Sequence, residues 1–416
     1  MADNLVVGLD IGTASTRAVV GEFNDEGVLE IVGVGVAPST GLRRGIVLNI
    51  EATLASVAAA VEAAELMSGR EIKSCVLGIS GANVESLNSR GVVAVTGKGR
   101  EITRDDVARV LDAAKAVVIP MDREVVHVIP QSYIVDDQHG VRDPLDMIGV
   151  RLEAEVHIVT GAVTTTQNLL KCVNRAGFKV ERFALGSLGA ARAALTTDEK
   201  ELGCLLMDMG GGTTDLMVFS EGSPVFTSAV PAGGLQVTND ISIMLSVPME
   251  AAERIKRESA SCWPGGIDPE ESIVVPGIGG RAPAEVPRRK LCSIVQPRME
   301  EMLRMARDKV EKMGYWKLIK AGVVLTGGAA LMPGAAELAQ SIFGLPVRVG
   351  MPPAVGGLES EYRNPQYATA VGLVLLQADA IQPEVRPSSG GRGTKSDRGK
   401  SAVFGRLVDW IKNGFF

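Results

Sequence analysis

The chain of 416 residues is 46% hydrophobic and 22% charged, the balance of a globular protein long enough for two or three domains. A net charge of -6 excludes a chain-wide nucleic-acid surface, because phosphate binding depends on clustered Lys and Arg. Five cysteines without ligand spacing and three histidines exclude most zinc sites, and no apolar run reaches the roughly 20 residues that span a bilayer.

The start, MADNLVVGLDIG, carries acidic residues and enters a strand at once, so it reads as no signal peptide, and the thiols are expected free in a reducing cytosol. NLVVGLDIG, RAVVGEF and VLEIVGVGVA predict three strands broken by Gly and Asn-Asp turns. An Ala- and Glu-rich helix follows over 54–67, then a strand over 74–79, a strand over 91–95 and a helix over 103–117. Beyond Pro120, the segment to 161 predicts several strands joined by polar turns.

GCLLMDMGGGTTDLMVFSEG, at 203–222, repeats the plan of LVVGLDIGTASTRAVVGEF, at 5–23: apolar strand, Asp, Gly-rich turn with hydroxyls, apolar strand. A repeat separated by about half the chain is no solenoid, and it predicts two halves folded alike and facing each other. In each hairpin an Asp, Asp10 or Asp208, ends the strand. Gly12, Gly210, Gly211 and Gly212 let the turns bring N–H groups against an anion. Thr13, Ser15, Thr16, Thr213 and Thr214 add hydroxyl donors. Such turns cradle phosphates, and Asp10 and Asp208 would face the Mg²⁺ that a nucleotide brings, through water, since magnesium dehydrates reluctantly. One such hairpin could be merely a tight turn; two matched copies favour phosphate. A third turn, AGVVLTGGAALMPG, sets Gly327 and Gly328 between a strand and a helix start, where a base or ribose could pack. None of the three has P-loop spacing.

Residues 286–312 predict a basic, then amphipathic helix, with Leu303 and Val310 at helical intervals among Arg298, Arg304, Arg307 and Lys309. A solvated helix face would explain these charges as readily as a partner. Residues 382–402, rich in Pro, Ser and Gly, predict a flexible linker. In the last stretch, 403–416, Phe404, Leu407, Val408, Ile411 and Phe415 fall on one arc of a helix. Arg406, Asp409, Lys412 and Asn413 lie opposite, with Trp410 at the border. That is the pattern of an interfacial membrane helix, and Arg392, Lys395, Arg398 and Lys400 add positive charge toward anionic lipid. A terminal helix docked on its own domain would share the pattern; the basic linker favours the membrane. One such helix binds marginally, so durable attachment needs several at once.

These motifs carry a resemblance. The two hairpins and LTGGAALMPG resemble the phosphate-1, phosphate-2 and adenosine motifs of the actin, Hsp70 and sugar-kinase superfamily. HVIPQSYIVDDQHGVRDPLDMIGVRLEAEVHIVT, PAGGLQVTNDI, AAERIKRE and ATAVGLVLLQ narrow it to the FtsA family of bacterial cell-division proteins, over residues 5 to 376. The resemblance implies an α/β actin-like fold of two lobes with ATP in the cleft, and an inserted small α+β domain (1C) in place of one actin subdomain. It divides the chain into lobe 1 (1–81 and 161–192), the insert (82–160), lobe 2 (193–381, with subdomain 2B near 240–312), the linker (382–402) and a membrane-targeting amphipathic helix (403–416).

It further implies that ATP is held by Gly12, Thr13, Ser15, Thr16, Arg17, Gly210, Gly211, Gly212, Thr213, Thr214, Gly327 and Gly328, with Asp240, Glu253 and Lys256 also in the cleft and Asp10 and Asp208 toward Mg²⁺. Glu253 and Lys256 could instead be an i, i+3 pair on a solvated helix, worth about 0.2–0.5 kcal/mol. Hydrolysing members orient water with a Glu or Gln just before the second hairpin. Here Gly186 or Ser187 stands there, and neither is a useful base, so slow or absent turnover is expected, with Asp208 the one catalytic candidate. The implied partners are the C-terminal peptide of the tubulin-like FtsZ (at Arg289, Lys290, Arg298 and Glu301), further copies in a filament, and other divisome proteins through edge strands of the insert. Membrane lipids would be met by Phe404, Leu407, Val408, Trp410, Ile411 and Phe415, on the cytoplasmic face of the inner membrane at the septum. A PilM-type pilus-assembly adaptor and a small-molecule kinase on the same scaffold are the alternatives; residues 382–416 are too short for the peptide-binding domain of an Hsp70-like chaperone.

Overall fold

Short β-branched runs build the first sheet. Strands β1 (Leu5–Ile11), β2 (Ser15–Phe23) and β3 (Leu29–Pro38) form an antiparallel meander, and the small hairpin of β4 (Leu42–Arg43) and β5 (Ile46–Val47) leads to α1 (Ile50–Ser68) and β6 (Ser74–Ile79). This computed structural model describes residues 5–277 and 282–381; the predicted linker and amphipathic helix lie outside the described residues. Helix α1 begins four residues before the expected position because Asn49 caps it, its side chain accepting from Ala52 N–H (3.0 Å). It stops at Gly69, which takes the left-handed conformation (φ 64°).

An inserted unit then interrupts the lobe: β7 (Glu85–Ala94), α2 (Arg104–Lys115), β8 (Arg123–Val135), β9 (Gln138–Val141) and β10 (Arg151–Ala162), in sheet order β7-β10-β8-β9. It has its own core, in which Ile102, Val110 and Ala114 pack on Leu152, Ala154 and Val156. Thr103 is the cap of α2 rather than its first residue, paired with Asp106 in a capping box. The chain returns through α3 (Val163–Arg175), β11 (Lys179–Leu185), α4 (Gly186–Ala194) and α5 (Thr197–Leu202).

The second lobe comprises β12 (Cys204–Met209), β13 (Thr214–Ser220), β14 (Ser223–Val230), α6 (Gly234–Leu245), α7 (Met249–Ser259), the hairpin of β15 (Ser272–Val275) and β16 (Ala284–Pro287), α8 (Arg288–Lys312), β17 (Val323–Thr326), α9 (Ala335–Phe343) and β18 (Val347–Val349). Its sheet, β14-β13-β12-β17-β18, repeats the order of the first, β3-β2-β1-β6-β11: an antiparallel meander extended by two parallel strands. The hairpin repeat in the sequence is therefore the visible part of a repeated five-stranded sheet.

A final helix, α10 (Ala368–Ile381), crosses back to lobe 1. It packs on Val6 and Val19 of the first sheet, while Leu188, Ala191 and Ala194 of α4 pack on Leu206, Met217 and Val324 of the second. These two helices are the layer between the lobes, and a Cβ on Gly372 would collide with the carbonyl of Gly189, so their backbones touch. Both are apolar on most sides because each is covered on most sides. Among the described residues no helix is long and apolar enough to cross a membrane.

Candidate functional site

Each sheet ends its first strand beside a carboxylate and then turns. Gly12 N–H donates to Ser15 O (3.2 Å), and Gly210 N–H donates to Thr213 O (2.9 Å), so the two turns close with the same hydrogen bond. They meet at the junction of the lobes: a Cβ on Gly211 would stand 2.7 Å from Cβ of Ala14, and one on Gly212 2.7 Å from Oγ1 of Thr13. Beside them opens a cavity of 390 Å³ lined by Asp10, Gly12, Thr13, Ser15 and Arg17 from lobe 1, and by Asp208, Gly210, Gly211, Gly212 and Thr213 from lobe 2. Gly327 and Gly328 close one side, and Glu253, Lys256 and Arg257 another. Gly327 has φ 84°, and a Cβ there would collide with Oδ1 of Asp208, so only glycine fits.

The register makes the two hairpins equivalent. Asp10 faces Arg17 across β1 and β2, and Asp208 faces Asp215 across β12 and β13. Where lobe 1 places a cation, lobe 2 places a second carboxylate. Burial pushes the Asp10 carboxyl up to about 6, with Arg17 pulling against it and Asp208 adding to it. Burial raises Asp208 as well, although Thr369 Oγ1 donates to its Oδ2 (2.7 Å) and Arg17 is close by. Asp215 is pushed up to about 7 by burial and by Asp208, against the Gly81 N–H that donates to its Oδ1 (2.9 Å) from lobe 1. Carboxylates buried at this cost, with the Nε of Arg17 buried and without a partner among the described residues, fit an anion that arrives with its own cation. Among the described residues no three His, Cys, Asp or Glu side chains are placed to ligate a metal directly, so the donor set fits a cation held through water.

Glu253 and Lys256 are not a solvated pair, since their side chains are 29% and 14% exposed. Lys256 Nζ donates to Glu253 Oε2 (2.6 Å), Thr238 Oγ1 (2.9 Å) and Gly234 O (3.2 Å), and Arg257 Nε donates to Glu253 Oε1 (2.9 Å). Burial works against the charge on Glu253, but the hydrogen bonds from Lys256 and Thr238 hold its carboxyl below the usual range. Burial lowers Lys256.

Three residues expected at the site are elsewhere. Thr16 is fully buried, its Oγ1 2.8 Å from Ser39 Oγ, and Thr214 Oγ1 donates to Ala232 O (2.9 Å). Thr16 follows the cavity-facing Ser15 in β2, and Thr214 opens β13 directly after the cavity-facing Thr213; successive side chains of extended backbone alternate faces. Asp240 does not line the cavity: its carboxylate takes Arg298 Nε (2.6 Å) and Nη2 (3.1 Å) from α8. The same Arg298 also pairs with Glu301, so both residues proposed for a peptide are already engaged within lobe 2. Arg289 and Lys290 are exposed in the first turn of α8, with Arg289 about 180° around the helix from Arg298. The four do not form one patch. Gly186 and Ser187 lie outside the cavity lining, and Ser187 is buried.

Residues missed from the sequence are Asp215, Gln366 and Thr369, all lining the cavity. Arg17 Nη2 donates to Gln366 Oε1 (3.4 Å), and its guanidinium lies 5.3 Å over the ring of Tyr367. Asp215 had a signal: it stands seven residues after Asp208, as Arg17 does after Asp10, and two after Thr213 on the same strand face. Gln366 and Thr369 arrive from the far end of the chain and had none.

Two lobes on one topology, a carboxylate-and-glycine turn from each, and a third glycine turn at the cleft define the actin-like fold, here with an inserted domain. Among solved structures, the PilM-PilN type IV pilus biogenesis complex matches with TM-score 0.63 at 17% identity, over 89% of this chain and 97% of that one. MreB 5 of Spiroplasma citri bound to AMPPNP matches with TM-score 0.56 at 14%, over 91% and 97%. At these identities the likeness is one of fold. The sequence model "Cell division protein FtsA" matches residues 205–372, and "SHS2 domain inserted in FTSA" matches 81–160. Cell division protein FtsA of Pseudomonas aeruginosa is 46% identical over 99% of this chain and 98% of its own length; that of Borreliella burgdorferi is 46% identical over 91% and 92%, and that of Escherichia coli K12 38% over 89% of each. The chain belongs to the FtsA family of cell-division proteins.

Proposed function

We propose that the chain binds ATP with Mg²⁺ between its lobes and, as a filament of its own copies, tethers FtsZ filaments to the cytoplasmic face of the cell membrane at the division septum. The observation that carries the nucleotide half is the pair of turns, closed by the same hydrogen bond, that meet beside a cavity with buried carboxylates. MreB 5 of Spiroplasma citri, which shares the fold, is known bound to ADP and to AMPPNP. In this reading the N–H groups of Gly211 and Gly212, in turns held closed by the N–H groups of Gly12 and Gly210, join the hydroxyls of Thr13, Ser15 and Thr213 in holding phosphate oxygens, and the Nε of Arg17 donates to one of them. Bound Mg²⁺ would neutralise charge on the triphosphate. Asp10 and Asp208 would orient its waters, and Glu253 would accept from a ribose hydroxyl. Neither Gly186 nor Ser187 is a useful base, so slow turnover is expected, and Asp215, raised by burial in the cleft, is the cavity carboxylate that would take a proton from water.

Arg289 and Lys290 are the residues free to meet an acidic FtsZ peptide, with Arg298 and Glu301 shaping α8 beneath it. Residues 403–416, with the apolar and basic pattern of their sequence, supply the contact with lipid, and the insert offers a surface to other division proteins. Electron microscopy on anionic lipid monolayers tests the whole reading: filaments should form with Mg·ATP and recruit FtsZ. A chain ending at residue 402 that covers the monolayer as densely as the full chain would contradict it.

A further inference from the structure

The inserted domain holds both lobes, and it does so with polar side chains carried on the strands of its own sheet, two of them buried histidines. On the lobe 2 side, β14 pairs among the described residues only with β13, leaving its outer edge to the insert. Ser86 Oγ, on β7, donates to Thr227 O (2.8 Å) and accepts from Thr227 N–H (2.9 Å). Asn88 Nδ2 donates to Val225 O (2.9 Å), and Gln131 Nε2, on β8, to Pro224 O (2.9 Å). His157, on β10 and fully buried, stands between the two bodies: its Nδ1 is 2.7 Å from Asn88 Oδ1 and its Nε2 2.9 Å from Thr227 Oγ1. Because Asn88 Oδ1 can only accept, Nδ1 donates and Nε2 accepts from the Thr227 hydroxyl, a fully satisfied neutral imidazole.

On the lobe 1 side, His127 Nε2 accepts from Leu185 N–H (2.8 Å). Leu185 precedes Gly186, where a Cβ would collide with Ser80 Oγ, and Ser80 lines the cavity. Each clasp is thus close to the cleft. From Thr227 the β14 ladder runs three residues to Val230, opposite Thr214 at the phosphate-facing turn, about 10 Å away.

The two turns line one cavity at the spacing the lobes hold here, with Gly211 against Ala14 and Gly212 against Thr13, so any change in the position of the lobes changes the space and the donors offered to phosphates. A shift of lobe 2 carries β14 with it. We propose that the insert is a clasp across both lobes whose hold on β14 is coupled to occupancy of the cleft. This rests on reading the cleft as a nucleotide site and extends it. Linkage is reciprocal: a partner that draws the insert off β14 lowers nucleotide affinity, and nucleotide changes how tightly the insert is held.

The Thr227 amide is the probe, since it donates to a side chain of the insert rather than to a strand. On the full chain, hydrogen exchange over 223–230 is followed without nucleotide and with saturating Mg·ATP or Mg·ADP, alongside titration with a fluorescent ATP analogue. The proposal expects nucleotide to change protection at Thr227, and Ser86→Ala and Asn88→Ala to bind the analogue at least about fivefold more weakly. Wild-type binding with unchanged protection at Thr227, or both variants within twofold of wild type, overturns the clasp while leaving the nucleotide site standing. No binding of the analogue by wild type overturns both readings.

Discussion

Asp215→Asn should make the nucleotide-free protein more stable, and by an amount set by pH. Asp215 is 7% exposed, and its carboxyl is raised from 3.8 to about 7 by burial and by Asp208. A shift of about three pKa units corresponds to roughly 4 kcal/mol of penalty for holding the charge in the fold. Asn keeps an oxygen for the Gly81 N–H and removes the charge. The sign follows from the raised value: the penalty is full above about pH 7, shrinks by about 1.4 kcal/mol per unit below it, and is gone near 3.8, where both states are protonated. For cooperative unfolding of a chain this size, about 2–4 kcal/mol raises Tm by about 3–5 °C. Differential scanning fluorimetry from pH 4 to pH 8 is the assay. The variant should melt higher at pH 8 and together with wild type at pH 4. An Asn variant that is less stable at pH 8, or whose gain does not vary with pH, would falsify the claim that this carboxylate is strained for function.

Other outcomes follow from the same geometry. Gly327→Ala must push Asp208 aside and adopt a left-handed backbone, so Mg·ATP affinity measured by calorimetry should fall at least about tenfold. Because Asp10 and Asp215 hold protons up to about 6 and about 7, binding of Mg·ATP at pH 6.5 should release about one proton and tighten from pH 5.5 to 8. Calorimetry in two buffers of different ionisation heat measures that release; uptake of protons would contradict it. Phe404→Glu or Trp410→Glu should abolish co-sedimentation with anionic liposomes while leaving nucleotide affinity unchanged.

The parts of the site legible in the sequence were those made by local chemistry. A strand, an Asp and a glycine turn announce themselves within a dozen residues, and their second copy announced the repeated sheet. Hydroxyls were over-counted because strand parity was not applied: Ser15 and Arg17, like Thr213 and Asp215, share the cavity face, whereas Thr16 and Thr214 point into the fold. The same parity would have found Asp215. Asp240 was misplaced because its partner, Arg298, is 58 residues away on another helix. Gln366 and Thr369 reach the cavity only because α10 returns between the lobes, a long-range packing that no local pattern encodes. The bounds of the insert were implied by the family resemblance, whereas the contacts of His157 with Thr227 on β14 and of His127 with Leu185 on β11 depend on long-range packing.

The central claim is that the paired turns form a nucleotide site. Isothermal titration of the nucleotide-free full chain with ATP in the presence of Mg²⁺ tests it most directly. Saturable one-to-one binding, weakened by Gly327→Ala, is expected. Absence of saturable heat with wild type that is demonstrably folded, in two buffers of different ionisation heat, would contradict it.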